Sequence, residues 1–203
     1  MRCLPYGDTA VLAEVDDLTA VLDLYAQLRD DPPAGLVALV PASRTLLVQF
    51  DPAVTSASAV DAHLEAAAAT AAPTAPAAEV TLPVVYDGED LDEVAALTGL
   101  DREAVIAAHT GQWWTVGFVG FAPGFAYLVG EDDRLRVPRR PEPRPAVPAG
   151  AVGLADAFSG VYPRRSPGGW QLIGRTEVAT WDLGRDPPAL LPPGTRVRFE
   201  AVG

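Results

Sequence analysis

The period of apolar and polar positions changes along the chain, and each change marks an element. Thr9 to Val15 reads as a strand, after which Leu18, Val21, Leu22, Tyr25 and Leu28 recur at helical spacing as far as Arg29. Asp30-Asp31-Pro32-Pro33 stops that helix, because proline lacks the N–H and crowds the preceding turn. Two short apolar runs, Leu36 to Val40 and Thr45 to Phe50, are parted by Pro41-Ala42-Ser43 and predict a hairpin. Asp51-Pro52 closes it, and Ser56 or Ser58 is placed to cap an alanine-rich helix reaching about Thr70. The β-α-β-β-α order predicts a small α/β domain of ferredoxin-like type over residues 1–76.

Thr70 to Ala78 joins proline to small residues with nothing to anchor a core, which predicts a linker and a boundary near 76. A second domain over 77–203 opens with a strand at Val80 to Tyr86. Two short helices follow, Asp90 to Thr98 and Asp101 to His109, the first ended by Gly99. From Trp113 onward short β-like runs alternate with Gly and Pro turns, as in GFAPGF, YPRRSPGGW and LLPPGT. That alternation predicts a compact barrel or sandwich. The fold class expected for the whole chain is α+β.

Composition adds an exclusion. All 15 basic residues are Arg, and the chain has no lysine. A P-loop lysine, a Schiff-base lysine and a biotin-carrying lysine are therefore excluded, and an anion held by side-chain charge must be held by Arg. The net charge of -12 speaks against a general nucleic-acid binder, but it is unevenly distributed. Residues 1–80 and 81–133 are acidic, whereas 134–203 carry 11 Arg against 6 acids. Cys3 is the only cysteine, which fits a reducing cytoplasm and excludes thiolate clusters. The N-terminus lacks a signal-peptide core, and no stretch approaches the roughly 20 apolar residues of a membrane span.

Candidate chemistry concentrates in the basic half. His63, flanked by Asp61 and Glu65, reads as a solvated helix residue. His109 ends a helix, where a cation would complement the dipole, and it stays open as a site residue. Two histidines and one terminal cysteine make a Cys-His pair or a three-histidine metal site improbable, and no metal is expected. A serine triad has no elbow motif to support it. Asp90, Asp92 and Glu93 are assigned to offsetting a helix N-terminal dipole. Gly117 to Tyr127 sets aromatics among glycines, so that backbone can approach a ligand while rings form a wall. Arg139, Arg140 and Arg144 lie in a proline-stiffened segment, which is also what a solvated loop looks like. Tyr162 to Trp170 offers a hydroxyl, backbone donors at Gly168 and Gly169 and an aromatic stop, or simply turn chemistry.

In order, GFAPGFAYL (120–128), RRPEPRPAVPAGAVGLA (139–155) and SGVYPRRSPGGWQLIGRT (159–176) resemble the KipI family. Its members are also called the B-type subunit of 5-oxoprolinase or allophanate hydrolase subunit 1, and they are similar to subdomains C and D of the urea-carboxylase carboxyltransferase. The resemblance implies a small N-terminal α/β domain joined to a cyclophilin-like β-barrel. It implies a KipA-type partner, which is the C-type subunit of 5-oxoprolinase, and a LamB/YcsF-type partner, which is the A-type one. Together they would carry out the ATP-dependent opening of 5-oxoproline to glutamate, with this chain active only in their company. ATP with its Mg counter-ion would belong to the assembled complex. Alternatives are a regulatory module inhibiting a sensor histidine kinase and a carboxyltransferase-like piece of a urea or allophanate pathway.

Carried over by position, Phe121, Gly124, Phe125 and Tyr127 match the GFxPGFxYL element, and Arg139 and Arg144 the arginine element. Tyr162, Ser166, Gly168, Gly169 and Trp170 match YPxxSPGGW, and Arg175 matches IGRT. The resemblance points to Arg144 as the anion binder, Gly168 and Gly169 as backbone donors, Tyr162 and Ser166 as orienting groups, and His109 as a proton-transfer candidate. Phe158 stands where the family usually carries a polar amide, and Trp114 where a tyrosine is more usual.

Overall fold

The computed structural model describes residues 1–70 and 78–203, the side chain of Thr70 excepted, and the chain divides into two units, Met1–Ala75 and Pro76–Gly203. The expected linker falls mostly outside the described residues. In the first unit, β1 (Arg2–Pro5) and β2 (Ala10–Glu14) precede α1 (Leu18–Asp30), β3 (Leu36–Pro41), β4 (Thr45–Phe50) and α2 (Ala57–Thr70). The sheet order is β1-β2-β4-β3, antiparallel throughout. The order therefore begins with a strand that the sequence pattern did not predict. β1 is four residues long with no apolar alternation, and its pairing with β2, from Arg2↔Glu14 to Pro5↔Val11, places it at the sheet edge.

Asp17 caps α1 by accepting the N–H of Ala20 at 2.9 Å, and Ser56 Oγ accepts from Ala59 at 3.3 Å at the start of α2. The buried stripe of α1 is Val21, Leu24 and Leu28, with Leu18 and Tyr25 half-buried beside it, whereas Leu22 turns from the core centre that periodicity predicted for it. His63 Nε2 lies 3.0 Å from the Asp31 carbonyl, so this histidine is bonded to the end of α1.

The second unit runs β5 (Glu79–Val84), α3 (Leu91–Thr98), α4 (Arg102–Thr110), β6 (Trp114–Val119), β7 (Ala126–Gly130), β8 (Arg144–Val147) and β9 (Ala151–Ala155). It continues with β10 (Phe158–Val161), β11 (Ser166–Gly168), β12 (Gln171–Arg175) and β13 (Arg196–Ala201). Seven strands pair in the order β12-β9-β10-β7-β6-β13-β5, and only β13 and β5 are parallel. Val85 and Arg175 then exchange backbone bonds of 2.9 Å in both directions, linking the two end strands so that the sheet is nearly closed into a barrel. Gly99, with φ of 71°, ends α3 in the left-handed conformation, as its position predicts.

Alternation decides what each strand contributes to the two sides of this sheet. On β13 Val197 and Phe199 are buried between exposed Arg198 and Glu200. β9 is buried along its whole length because both of its faces are covered. Val152 and Leu154 join the interior core with Leu82, Leu128 and Ile173, while Ala151 and Ala155 join an outer cluster with Phe125, Tyr162, Trp170 and Leu172. The ribbon formed by β8 and β11 contributes Val147 to that outer cluster. β10 is divided the same way, with Val161 in the interior core and Phe158 packed against the outer cluster.

Candidate functional site

Phe125 is the hub of the outer cluster. Its ring, 1% exposed, lies 5.4 Å from Phe121, 5.1 Å from Tyr127, 5.3 Å from Tyr162 and 5.2 Å from Trp170, edge-on to each. Edge-to-face pairs contribute about 0.5–1.5 kcal/mol each beyond burial, so this group is both a core and a rigid wall. The wall bounds a cleft of about 40 Å³ lined by Phe121, Phe125, Tyr127, Arg139, Tyr162, Pro167, Gly168 and Trp170. Seven of the residues singled out in the sequence are thus brought together. Phe158 packs edge-on against Tyr127 at 5.6 Å, so an apolar ring backs the cleft where the family usually has an amide.

Gly168 sits opposite Arg144 in the β8–β11 ribbon, and a Cβ there would fall on the Tyr162 hydroxyl. Only glycine lets that hydroxyl lie against the ribbon. Burial pushes the Tyr162 phenol up, an effect that the Trp170 N–H and the Arg139 guanidinium oppose without reversing it. The phenol therefore keeps its proton at neutral pH and remains a donor. Arg139 is exposed at the mouth of the cleft and has no ion-pair partner among the described residues. A guanidinium on an aromatic cleft with its donors unclaimed is suited to a carboxylate or another planar anion.

Other expected site residues do not line this cleft. Arg144, expected to bind an anion, donates through Nη2 to Asp90 Oδ1 at 2.8 Å and to Glu89 Oε2 at 3.2 Å, while its buried Nη1 has no hydrogen-bond partner among the described residues. Arg140 Nη1 donates to the same Asp90 oxygen at 2.6 Å, and Asp90 Oδ2 accepts the Leu172 N–H at 2.7 Å. Burial would raise the Asp90 pKa, but the bonds from Arg144 and Leu172 and the Arg140 charge outweigh it and hold the carboxyl below its usual range. Asp90 stands at the N-cap of α3, as expected, but its side chain makes no cap bond there and instead ties α3 to β8 and β12. Ser166 Oγ donates to the Arg164 carbonyl at 3.0 Å within its own turn, and the Gly169 carbonyl accepts the Arg140 N–H at 2.7 Å. Arg175 pairs with Asp87 at 2.9 Å and Glu177 at 3.4 Å beside the barrel closure. Gly124 lies in a neighbouring groove shared with Phe121.

His109 corrects the helix-end expectation most clearly. It has no exposed surface, stacks on Phe199 at 4.1 Å, and is pushed down to about 3 by burial, so it is neutral rather than a cation on the α4 dipole. Its Nδ1 is 2.7 Å from Tyr86 Oη and its Nε2 is 2.9 Å from Ser159 Oγ. A Ser-His pair does therefore exist, but Nδ1 faces a phenol rather than a carboxylate, and both partners are sealed at 0% exposure. A nucleophile needs access and its base needs affinity for a proton, and this pair has neither. The Tyr86–His109–Ser159 line spans the sequence from 86 to 159, a proximity that no local pattern announces. Among the described residues no three His, Cys, Asp or Glu side chains are grouped to hold a metal.

Known proteins agree on the scaffold. The family model described as carboxyltransferase domain, subdomain C and D, matches residues 1–191. The B-type subunit of 5-oxoprolinase from Escherichia coli O157:H7 is 49% identical over 123 residues, which are 59% of this chain and 56% of that protein. The match thus spans little more than half of the curated relative's length. The crystal structure of TTHA0988 superposes with a TM-score of 0.80 at 40% identity, covering 96% of this chain and 40% of the other. The Kluyveromyces lactis urea amidolyase, at 22% identity and a TM-score of 0.75 over 98% of this chain and 15% of that one, shares the fold.

Proposed function

The chain belongs to the family of carboxyltransferase domain subdomains C and D, and from that premise we propose that it is the B-type subunit of a 5-oxoprolinase, acting on a small lactam that carries a carboxylate. The observation that carries this reading is the cleft: aromatic walls, one unpaired Arg139 and the protonated Tyr162 hydroxyl around about 40 Å³. The resemblance to relatives named for the same 5-oxoprolinase component supports it from outside. In 5-oxoproline the carboxylate would meet Arg139 and the flat ring would lie along Phe121 and Tyr127. The Tyr162 hydroxyl would then donate toward the lactam oxygen. Ring opening adds one water across the lactam C–N bond, giving the second carboxylate and the free amine of glutamate.

ATP drives that step in this reading, together with a KipA-type partner and a LamB/YcsF-type partner. This chain has no lysine to offer a nucleotide's phosphates. ATP and its Mg are therefore assigned to the partners. The first unit reads as a ferredoxin-like sheet in which β1 takes the outer place beside β2, and the second as a cyclophilin-like barrel. A cytoplasmic location goes with the single unpaired Cys3; no helix among the described residues is long and apolar enough to cross a membrane.

The test is co-expression with the KipA-type and LamB/YcsF-type partners, followed by glutamate release from 5-oxoproline with and without ATP. Release that requires ATP is expected, and an assembled complex that releases none overturns the reading.

A further inference from the structure

Arg139, the unpaired guanidinium at the mouth of the cleft, lies in a segment, Pro138 to Arg140, that belongs to no helix or strand. Val137 and Arg140 each precede a proline, which confines them to extended backbone, and the rings of Pro138 and Pro141 fix their own φ. From 137 to 141 only Arg139 is free of both restrictions. The direction of its side chain has to be set from outside the segment.

Two hydrogen bonds set it. The peptide group before Arg139 is held by its carbonyl, where Pro138 O accepts from the side-chain amide Nε2 of Gln171 at 3.2 Å. The peptide group after it is held by its N–H, which Arg140 donates to the Gly169 carbonyl at 2.7 Å. With both flanking peptide planes fixed, φ and ψ of Arg139 follow, and with them the line from Cα to Cβ. Gln171 and Gly169 bracket Trp170, a wall of the cleft, and Gly168 beside them is another. Arg139 is thus referenced to the stretch of chain that shapes the cleft. An outer pair of ties holds the segment as a whole: Val137 and Asp156 exchange backbone bonds of 3.2 and 2.7 Å, and Arg140 Nη1 reaches Asp90 at 2.6 Å.

Gln171 is the tie for which packing gives least reason. It is 3% exposed, its bond to Pro138 is the only one its side chain makes among the described residues, and its Oε1 is buried without a donor. A buried acceptor left unpaired lowers stability, so an apolar residue of the same size would fill the position at least as well. An apolar residue would not hold the Pro138 carbonyl.

We infer that Gln171 is a positioning residue, which holds the Pro138–Arg139 peptide so that the Arg139 guanidinium meets the substrate carboxylate at the cleft mouth. The inference rests on the reading of this cleft as the site for 5-oxoproline. Backbone held in advance spares the ordering that binding would otherwise require, so the loss on removing the tie falls on affinity.

The experiment is the kinetics of Gln171→Met, which keeps the volume and loses the donor, in the assembled complex. KM for 5-oxoproline should rise about tenfold with kcat within about twofold, because the Arg139 contact holds substrate and transition state alike. In an Arg139→Ala background the same substitution should change KM by less than about twofold. Gln171→Asn, whose amide falls one methylene short of Pro138, should show the same pattern and serves if the Met variant does not fold. Equal rises in both backgrounds, or an unchanged KM in the first, overturn the inference and leave the proposed function standing. Hydrogen exchange of the chain by itself gives a readout independent of turnover: the Arg140 amide should exchange about tenfold faster in Gln171→Met, and an unchanged rate overturns the inference. An assembled complex of the unaltered chain that releases no glutamate overturns the proposed function and, with it, the carboxylate assigned to Arg139.

Discussion

β10 divides two buried polar settings that differ in whether every polar group finds its partner inside the protein. Inward, Ser159 meets His109, and His109 meets Tyr86, with no surface left to solvent at the histidine. Outward, beyond Phe158, the Tyr162 hydroxyl is buried too, yet it borders a small cavity and an Arg139 with no carboxylate to meet among the described residues. Burial and a shifted pKa occur on both sides. Unclaimed bonding capacity beside a cavity occurs on one, and that is what separates a ligand site from a network that holds the fold.

The comparison can be broken at several points. The largest effect is expected from Asp90→Ala, which leaves Arg140 and Arg144 without their shared carboxylate and the Leu172 N–H unpaired. Breaking a buried pair costs about 3–5 kcal/mol, read as a shift in the urea midpoint at constant slope. A loss below about 1 kcal/mol would mean that this network is not a support of the cleft. Next, Arg139→Ala should lower kcat/KM of the assembled complex about a hundredfold, or about 2.7 kcal/mol, with an unchanged melting temperature. If the melting temperature falls and the activity per folded molecule holds, Arg139 belongs with the fold-holding groups.

The pH dependence tests the inward side. The His109 pKa is about 3 in the folded chain against an ordinary 6.5, so the unfolded chain binds the proton first. Its contribution is complete above about 6.5 and is lost as pH falls toward 3, amounting to about 2 kcal/mol by pH 5. Denaturation at a series of pH values between 6.5 and 5 should show this slope in the unaltered chain and not in His109→Leu. An identical slope in both would remove His109 as its source. The smallest effect is Tyr86→Phe, expected to cost about 1 kcal/mol through one lost bond to His109, with catalysis per folded molecule unaffected.

What could be read from the sequence followed from range. The helix ending at Gly99, the helix of Asp101 to His109 and the hairpin of Leu36 to Phe50 are local, and they appear where propensity and period place them. Gly and Pro spacing marked the two segments of the cleft only as candidates, and it was the family resemblance that named Phe121, Phe125, Tyr127, Tyr162, Gly168 and Trp170 together. What each polar group does was not legible. Whether Arg139 or Arg144 remains free depends on Asp90, some 50 residues upstream, and the His109 partner lies 50 residues downstream. The β1 strand escaped because an edge strand of four residues needs no alternation, only a neighbour.

The placement of β13 sets an order on synthesis. It lies between β6 and β5 and is the parallel neighbour of β5, yet it is the final strand of the sequence. While the chain is being made, β5 waits through α3, α4 and seven further strands before its hydrogen-bonding partner exists. At translation rates of about 5–20 residues per second that interval is on the order of ten seconds, during which Leu82 and Val84 have no strand to pair with. The second unit is therefore expected to close only once β13 has emerged from the ribosome.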